Sequence, residues 1–168
     1  PDAGEVIFNG IPIGSFSEND LARFRNQELG FVFQQHHLLP QCSLLENVLL
    51  PVLATKNRAS SAELEWATHL LKKTGIWEQR NQKPGEMSGG ECQRAAVVRA
   101  LINKPKLVLA DEPTGALDAE NASILSELLA GLSREEGITL VTVTHSPELA
   151  SKMDRVYSLQ NGTLTLQK

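Results

Sequence analysis

Two stretches of this sequence hold residue types that could do chemistry together. The first is Leu107-Val108-Leu109-Ala110-Asp111-Glu112. An apolar strand there ends in two adjacent carboxylates, and open α/β sheets place their ligands beyond the carboxyl ends of their strands. Successive residues diverge at such an end, so the two acids can take different tasks. Asp111 suits a hydrated divalent cation such as Mg²⁺, which keeps much of its water shell. Glu112 suits the activation of an attacking water. The plain alternative is a solvated strand end. The second stretch is Met87-Ser88-Gly89-Gly90-Glu91-Cys92-Gln93-Arg94. Two glycines at a helix start leave backbone N–H groups uncovered, and with the helix dipole these make an anion site. The Ser88 hydroxyl adds one more hydrogen bond. The plain alternative here is a Gly-rich helix cap.

The elements that position these residues alternate between strand and helix. Residues 5–9 read as a strand, and Asn9-Gly10 as a hairpin turn. Ser17 with Asp20 opens a short helix to about residue 26. Residues 30–33 read as a buried strand, followed by a polar loop to Gln41. Ser43 with Glu46 starts a helix that reaches at most Leu50 before Pro51. Ser60 with Glu63 starts another, with Leu64, Ala67 and Leu71 on its apolar face and Gly75 as its stop. Trp66 and Trp77 read as packing residues of this helical region. A helix follows Ser88, and residues 107–110 form a buried parallel strand. Asp118 caps a helix whose face is Ile124, Leu125, Leu128, Leu129 and Leu132. Residues 138–143 read as another buried strand, ending at Thr144-His145. A hairpin closes the chain around Asn161-Gly162. The pattern predicts an α/β fold with a mainly parallel sheet.

With 168 residues, 41% of them apolar, the chain can bury a core, and a net charge of −4 gives no footing for nucleic acid. No apolar run approaches the roughly 18 residues of a spanning helix. Cys42 and Cys92 form no C-x-x-C motif and read as free thiols.

Ser88-Gly89-Gly90-Glu91-x-Gln93-Arg94, followed by a strand ending Asp111-Glu112-Pro113-Thr114, resembles the signature motif and Walker B of the ABC ATPases. The other motifs stand in that family's order. Gln34, after Phe31-Val32-Phe33, resembles the Q-loop glutamine, which reaches toward Mg²⁺ and the attacking water. Gly115-Ala116-Leu117-Asp118 resembles the D-loop, and His145 the switch histidine that contacts the γ-phosphate. The resemblance implies a single, partial ABC ATPase domain over residues 1–168, with a helical signature subdomain over roughly residues 42–104. It implies ATP and Mg²⁺ as ligands, with Glu112, His145 and Gln34 catalytic and Asp111 and Gln34 at the metal. Ser88, Gly89, Gly90, Glu91 and Asp118 then meet the nucleotide of a second, head-to-tail subunit. It also implies an integral membrane permease as partner, and a peripheral place on the cytoplasmic face of the inner membrane.

Three positions depart from the family pattern. Cys92 replaces a usually polar residue, and Ala116 stands where close relatives often carry Asn. No G-x-x-x-x-G-K-[ST] stretch, the Walker A loop, occurs anywhere; the only Lys followed by Ser or Thr is Lys73-Thr74. The chain as given is therefore expected to lack ATPase activity alone. Its abrupt start at Pro1 implies upstream material carrying that loop, and the missing strand and helix leave a sheet edge exposed. Phe31-Val32-Phe33-Gln34-Gln35, Leu38-Leu39-Pro40, Glu46-Asn47-Val48 and Glu112-Pro113-Thr114-Gly115 resemble the subgroup of lipoprotein-releasing ATPases and macrolide or peptide exporters. Two rival readings are a soluble ABC protein without a transporter and a non-hydrolysing subunit that supplies only a signature half-site. The first usually needs tandem domains or a coiled-coil insertion; the second has no need of Asp111, Glu112 and His145 together. His36-His37 reads as a solvated loop, since no further ligand joins it. Arg94 and Arg99 read as helix-surface or subdomain ion pairs rather than catalytic fingers.

Overall fold

The computed structural model of the chain describes residues 3–168; Pro1, where the sequence starts, lies outside them. Strands β1 (Ile7–Phe8) and β2 (Ile11–Pro12) pair antiparallel through Asn9-Gly10. Both turn residues have positive φ, 49° and 80°, as a two-residue hairpin of this hand requires. Helix α1 (Glu18–Gln27) begins where Ser17 accepts the N–H of Asp20. Phe8 and Phe16 both pack edge-on against Phe24, which ties the hairpin to α1.

A parallel sheet of order β3-β4-β5 forms the centre, from β3 (Leu29–Phe33), β4 (Leu107–Asp111) and β5 (Thr139–Val143). Between β3 and β4 lie three helices: α2 (Leu44–Leu53), α3 (Ser61–Lys73) and α4 (Gly89–Leu101). Each opens on a Ser-x-x-Glu capping box, with Ser43, Ser60 and Ser88 as caps. Helix α5 (Ala119–Glu135) starts at the Asp118 cap, and α6 (Pro147–Ser151) follows β5. Strands β6 (Tyr157–Gln160) and β7 (Thr163–Leu166) form the last hairpin, again over an Asn-Gly turn.

One face of the sheet is covered. Val32, Val108 and Ala110 are buried there beneath α4 and α5, together with Val97, Leu101, Leu129 and Leu132. Gly30 permits the close approach of α4, because a Cβ on it would lie 2.5 Å from the Ala100 carbonyl oxygen. The opposite face carries Phe31, Leu109 and Val141 in one row and Phe33, Asp111 and Val143 in the next. Phe31, Phe33, Val141 and Val143 are exposed.

Several elements differ from the sequence expectation. Helix α2 does not stop before Pro51 but continues through it to Leu53. Only one intrahelical bond is lost, since Ala54 still donates to Leu50, and buried Val48, Leu49 and Val52 hold the helix to the core. On α3 the buried face is Ala67, Leu70 and Leu71, while Leu64 is exposed, as is Ile124 on α5. Strand β5 is half-exposed rather than buried, because it lies at one edge of the sheet and only one of its faces is covered.

Candidate active site

The three parallel strands end at one level, where Phe33, Asp111 and Val143 share a row. The residues that follow this row are Gln34, Glu112 and Thr144-His145. Chain order and sheet register thus gather four of the predicted residues at a single edge.

Glu112 breaks from the strand with φ of 43°, in the left-handed region that side chains with a Cβ avoid. Such backbone persists when its surroundings over-determine it, and it costs about 1–3 kcal/mol. Here the Glu112 N–H donates to the Val143 carbonyl at 2.9 Å. Its Oε1 accepts from the His145 backbone N–H at 2.9 Å, and its Oε2 accepts from Thr144 Oγ1 at 3.3 Å. The His145 ring is fully exposed, with Nε2 3.6 Å from Glu112 Oε1. Asp111 is exposed at the tip of β4. The Gln34 amide lies against Gly115, where an added Cβ would come within 3.0 Å of Nε2. Asp111 and Gln34 offer only hard oxygen donors to a cation. That set fits Mg²⁺, which takes its remaining ligands from water and phosphate.

A second group forms around the start of α4. The Glu91 carboxylate folds back on Ser88, accepting its N–H and its hydroxyl, each at 2.8 Å. The Ser88 hydroxyl in turn accepts the Glu91 N–H, and Gln79 donates to the other Glu91 oxygen at 2.9 Å. These bonds, the Ser88 N–H first, hold the Glu91 carboxyl below its ordinary range. Ser88 and Glu91 are therefore engaged in capping, and Gly89 is left exposed between them. Gly90 is buried against Asn121, whose Oδ1 lies 2.3 Å from where its Cβ would stand. Asn121 donates through N and Nδ2 to the two oxygens of Asp118. The bond from the Asn121 N–H lowers the Asp118 pKa. Asn121 thus links the start of α4 to the residue before α5.

Residues 1–115 match the family model described as ABC transporter. The chain belongs to the ABC transporter family. It is 46% identical over 164 residues to the lipoprotein-releasing system ATP-binding protein LolD of Syntrophus aciditrophicus (strain SB), covering 98% of this chain and 73% of that protein. Among solved structures it is similar to the ATP-binding cassette MJ0796 in a dimeric post-hydrolysis state with ADP and Pi. The TM-score is 0.86 and the identity 37%, over 100% of this chain and 74% of that one. It is also similar to cbiO1 of Clostridium perfringens, part of the transporter complex cbiONQ. There the TM-score is 0.86 and the identity 28%, over 99% and 66% of the two chains. The fold is that of an ABC ATPase cassette, and the full-length cassette is an ATPase.

The cassette also uses residues that motif reading passed over. Arg99 makes no ion pair among the described residues; it donates to the His36 and His37 carbonyls, each at 2.7 Å. Arg94 points to Asn121 at 3.4 Å. The expectation of helix-surface or subdomain ion pairs fails for both among the described residues, because the partners they meet are backbone and amide groups. Partial burial first, then Arg99 and His37, lower the His36 pKa, and its Nδ1 accepts the Leu38 N–H. Among the described residues no group of three or more His, Cys, Asp or Glu could hold a metal. The motif contains Gln93 without assigning it a task, and Thr144 carries no sequence signal of its own.

Proposed function

We propose that the cassette powers lipoprotein release through an integral membrane permease, from the cytoplasmic face of the inner membrane. What supports this reading is the likeness to LolD over nearly the whole chain. Among the described residues no helix is long and apolar enough to cross a membrane.

The observation that carries the chemistry is the fixed Glu112 carboxylate. Glu112 takes the proton of the water that attacks the γ-phosphorus, as the bond to the ADP oxygen breaks. Its oxygens are aimed by the His145 N–H and the Thr144 hydroxyl. His145 meets the γ-phosphate, and Gln34 orients the water. Asp111 and Gln34 would hold Mg²⁺, which would neutralise phosphate charge. Ser88, Gly89, Gly90, Glu91 and Asp118 form the half-site offered to the nucleotide of a head-to-tail partner. The backbone donors at the start of α4 supply its attraction for phosphate. The helices of residues 42–104 form the subdomain that carries this half-site. With no G-x-x-x-x-G-K-[ST] stretch in the sequence, residues 1–168 alone do not hydrolyse ATP.

The test is Glu112→Gln in the complete ATPase. Turnover is expected to vanish while an ATP-bound dimer accumulates on size exclusion. Wild-type turnover in that variant would remove Glu112 as the base.

A further inference from the structure

Gln93 is a carboxamide sealed into the buried face of α4. Only 2% of it is exposed, and Cys92, Ala95, Ala96 and Val97 beside it are buried as well. Its Nε2 donates to the Phe33 carbonyl at 2.7 Å and to the Pro113 carbonyl at 2.9 Å. Phe33 directly precedes Gln34, and Pro113 directly follows Glu112. One amide therefore bridges the two loops that carry the water-handling residues, and it does so from the helix that begins at Ser88. Both of its N–H groups are spent, and a carboxamide has no more to give. Arg99, on the same helix, spreads its guanidinium over the His36 and His37 carbonyls. Helix α4 thus holds the segment after β3 at two points.

We propose that Gln93 is a positioning residue that sets the spacing of Gln34 and Glu112 and passes any displacement of α4 to both, with Arg99 as the second hold, a role that rests on the catalytic reading of Gln34 and Glu112 above. Packed interiors move as units, so short bonds from a buried side chain carry the loops along with the helix. The order of these contacts runs from the half-site offered to one nucleotide to the residues that act on another. A shift at Ser88-Gly89-Gly90 is felt at Gln34 and Glu112 through one amide group.

Gln93→Met keeps the volume and removes both donors. In the complete ATPase it is expected to lower kcat about 10- to 100-fold with KM for ATP within about threefold. Added to Gln34→Ala, it is expected to cost less than about twofold more, because the two act through one loop. An unchanged kcat, or losses that multiply in full, overturns the proposal. Should Gln93→Met not fold, Gln93→Asn is one methylene too short to span both carbonyls and carries the same expectations. Amide hydrogen exchange in the folded variant is the second readout. Faster exchange is expected in both segments 33–37 and 112–117, and unchanged exchange in either overturns the proposal. This readout stands whether or not the two loops are catalytic. A cassette whose turnover survives Glu112→Gln thus refutes the catalytic assignment, while exchange still judges the bridge.

Discussion

Asn47 sits fully buried in α2, and its carboxamide is spent entirely on backbone. Its Oδ1 accepts the Leu39 N–H at 2.7 Å, and its Nδ2 faces the carbonyls of Leu39, Cys42 and Ser43. Like Gln93 and Arg99, it fastens the loop between β3 and α2, which has no ladder of its own. Removing such a group strands several buried polar atoms, each costing about 1–3 kcal/mol. Asn47→Ala is therefore expected to destabilise the fold by about 2–4 kcal/mol, read as a lower urea midpoint at unchanged slope. None of this was legible in the sequence, where Asn47 is one polar residue in an apolar helix. Its partners are backbone groups, which leave no mark in the residue types. Asp111, Glu112 and His145 were legible, because their chemistry depends on residue type and on the end of a strand.

At the scale of elements, α2, α3 and α4 share one device, the Ser-x-x-Glu box, at three points where the chain must enter a helix at once. The first two were read as caps from their spacing. At the third the glycines point to an anion site with a Gly-rich cap as the alternative, and the path of the Glu91 carboxylate shows that Ser88 and Glu91 do cap the helix. The box of α3 has a measurable acid dependence. The Lys56 ammonium first, then the Ser60 N–H and hydroxyl, hold the Glu63 carboxyl at about 2 against an ordinary 4.5. A depressed carboxyl stabilises the fold fully above its unfolded pKa and loses that effect as pH falls through the folded one. Urea unfolding of wild type and Glu63→Gln should thus differ most above pH 4.5 and converge near about pH 2. A gap that stays constant across this window would show that Glu63 does not supply it.

For the molecule as a whole, the uneven cover of the sheet dominates. Helices α4 and α5 bury one face, while Phe31, Phe33, Val141 and Val143 stand exposed on the other. The last hairpin adds Leu159, Leu164 and Leu166, each more than half exposed. An exposed apolar sheet face of this kind associates. Replacing Val141 and Val143 with Thr, which keeps the β-branched shape, should reduce concentration-dependent association of residues 1–168 in sedimentation velocity. Folding stability should move by only about 0.5 kcal/mol, since neither side chain is packed. Undiminished association would place the contact elsewhere on the surface.

The sequence by itself determined the alternation of strand and helix, the Asn-Gly turns, the helix starts and the acidic strand end. All of these follow from local rules, namely side-chain period, capping and turn geometry, which act within a few residues. Only the tertiary structure decided which face of the sheet is covered and that α2 runs through Pro51. It also decided that Glu112 takes a left-handed backbone beneath β5, and that Gln93 reaches across to Phe33 and Pro113. Those outcomes depend on groups distant along the chain, whose meeting is set by packing rather than by spacing.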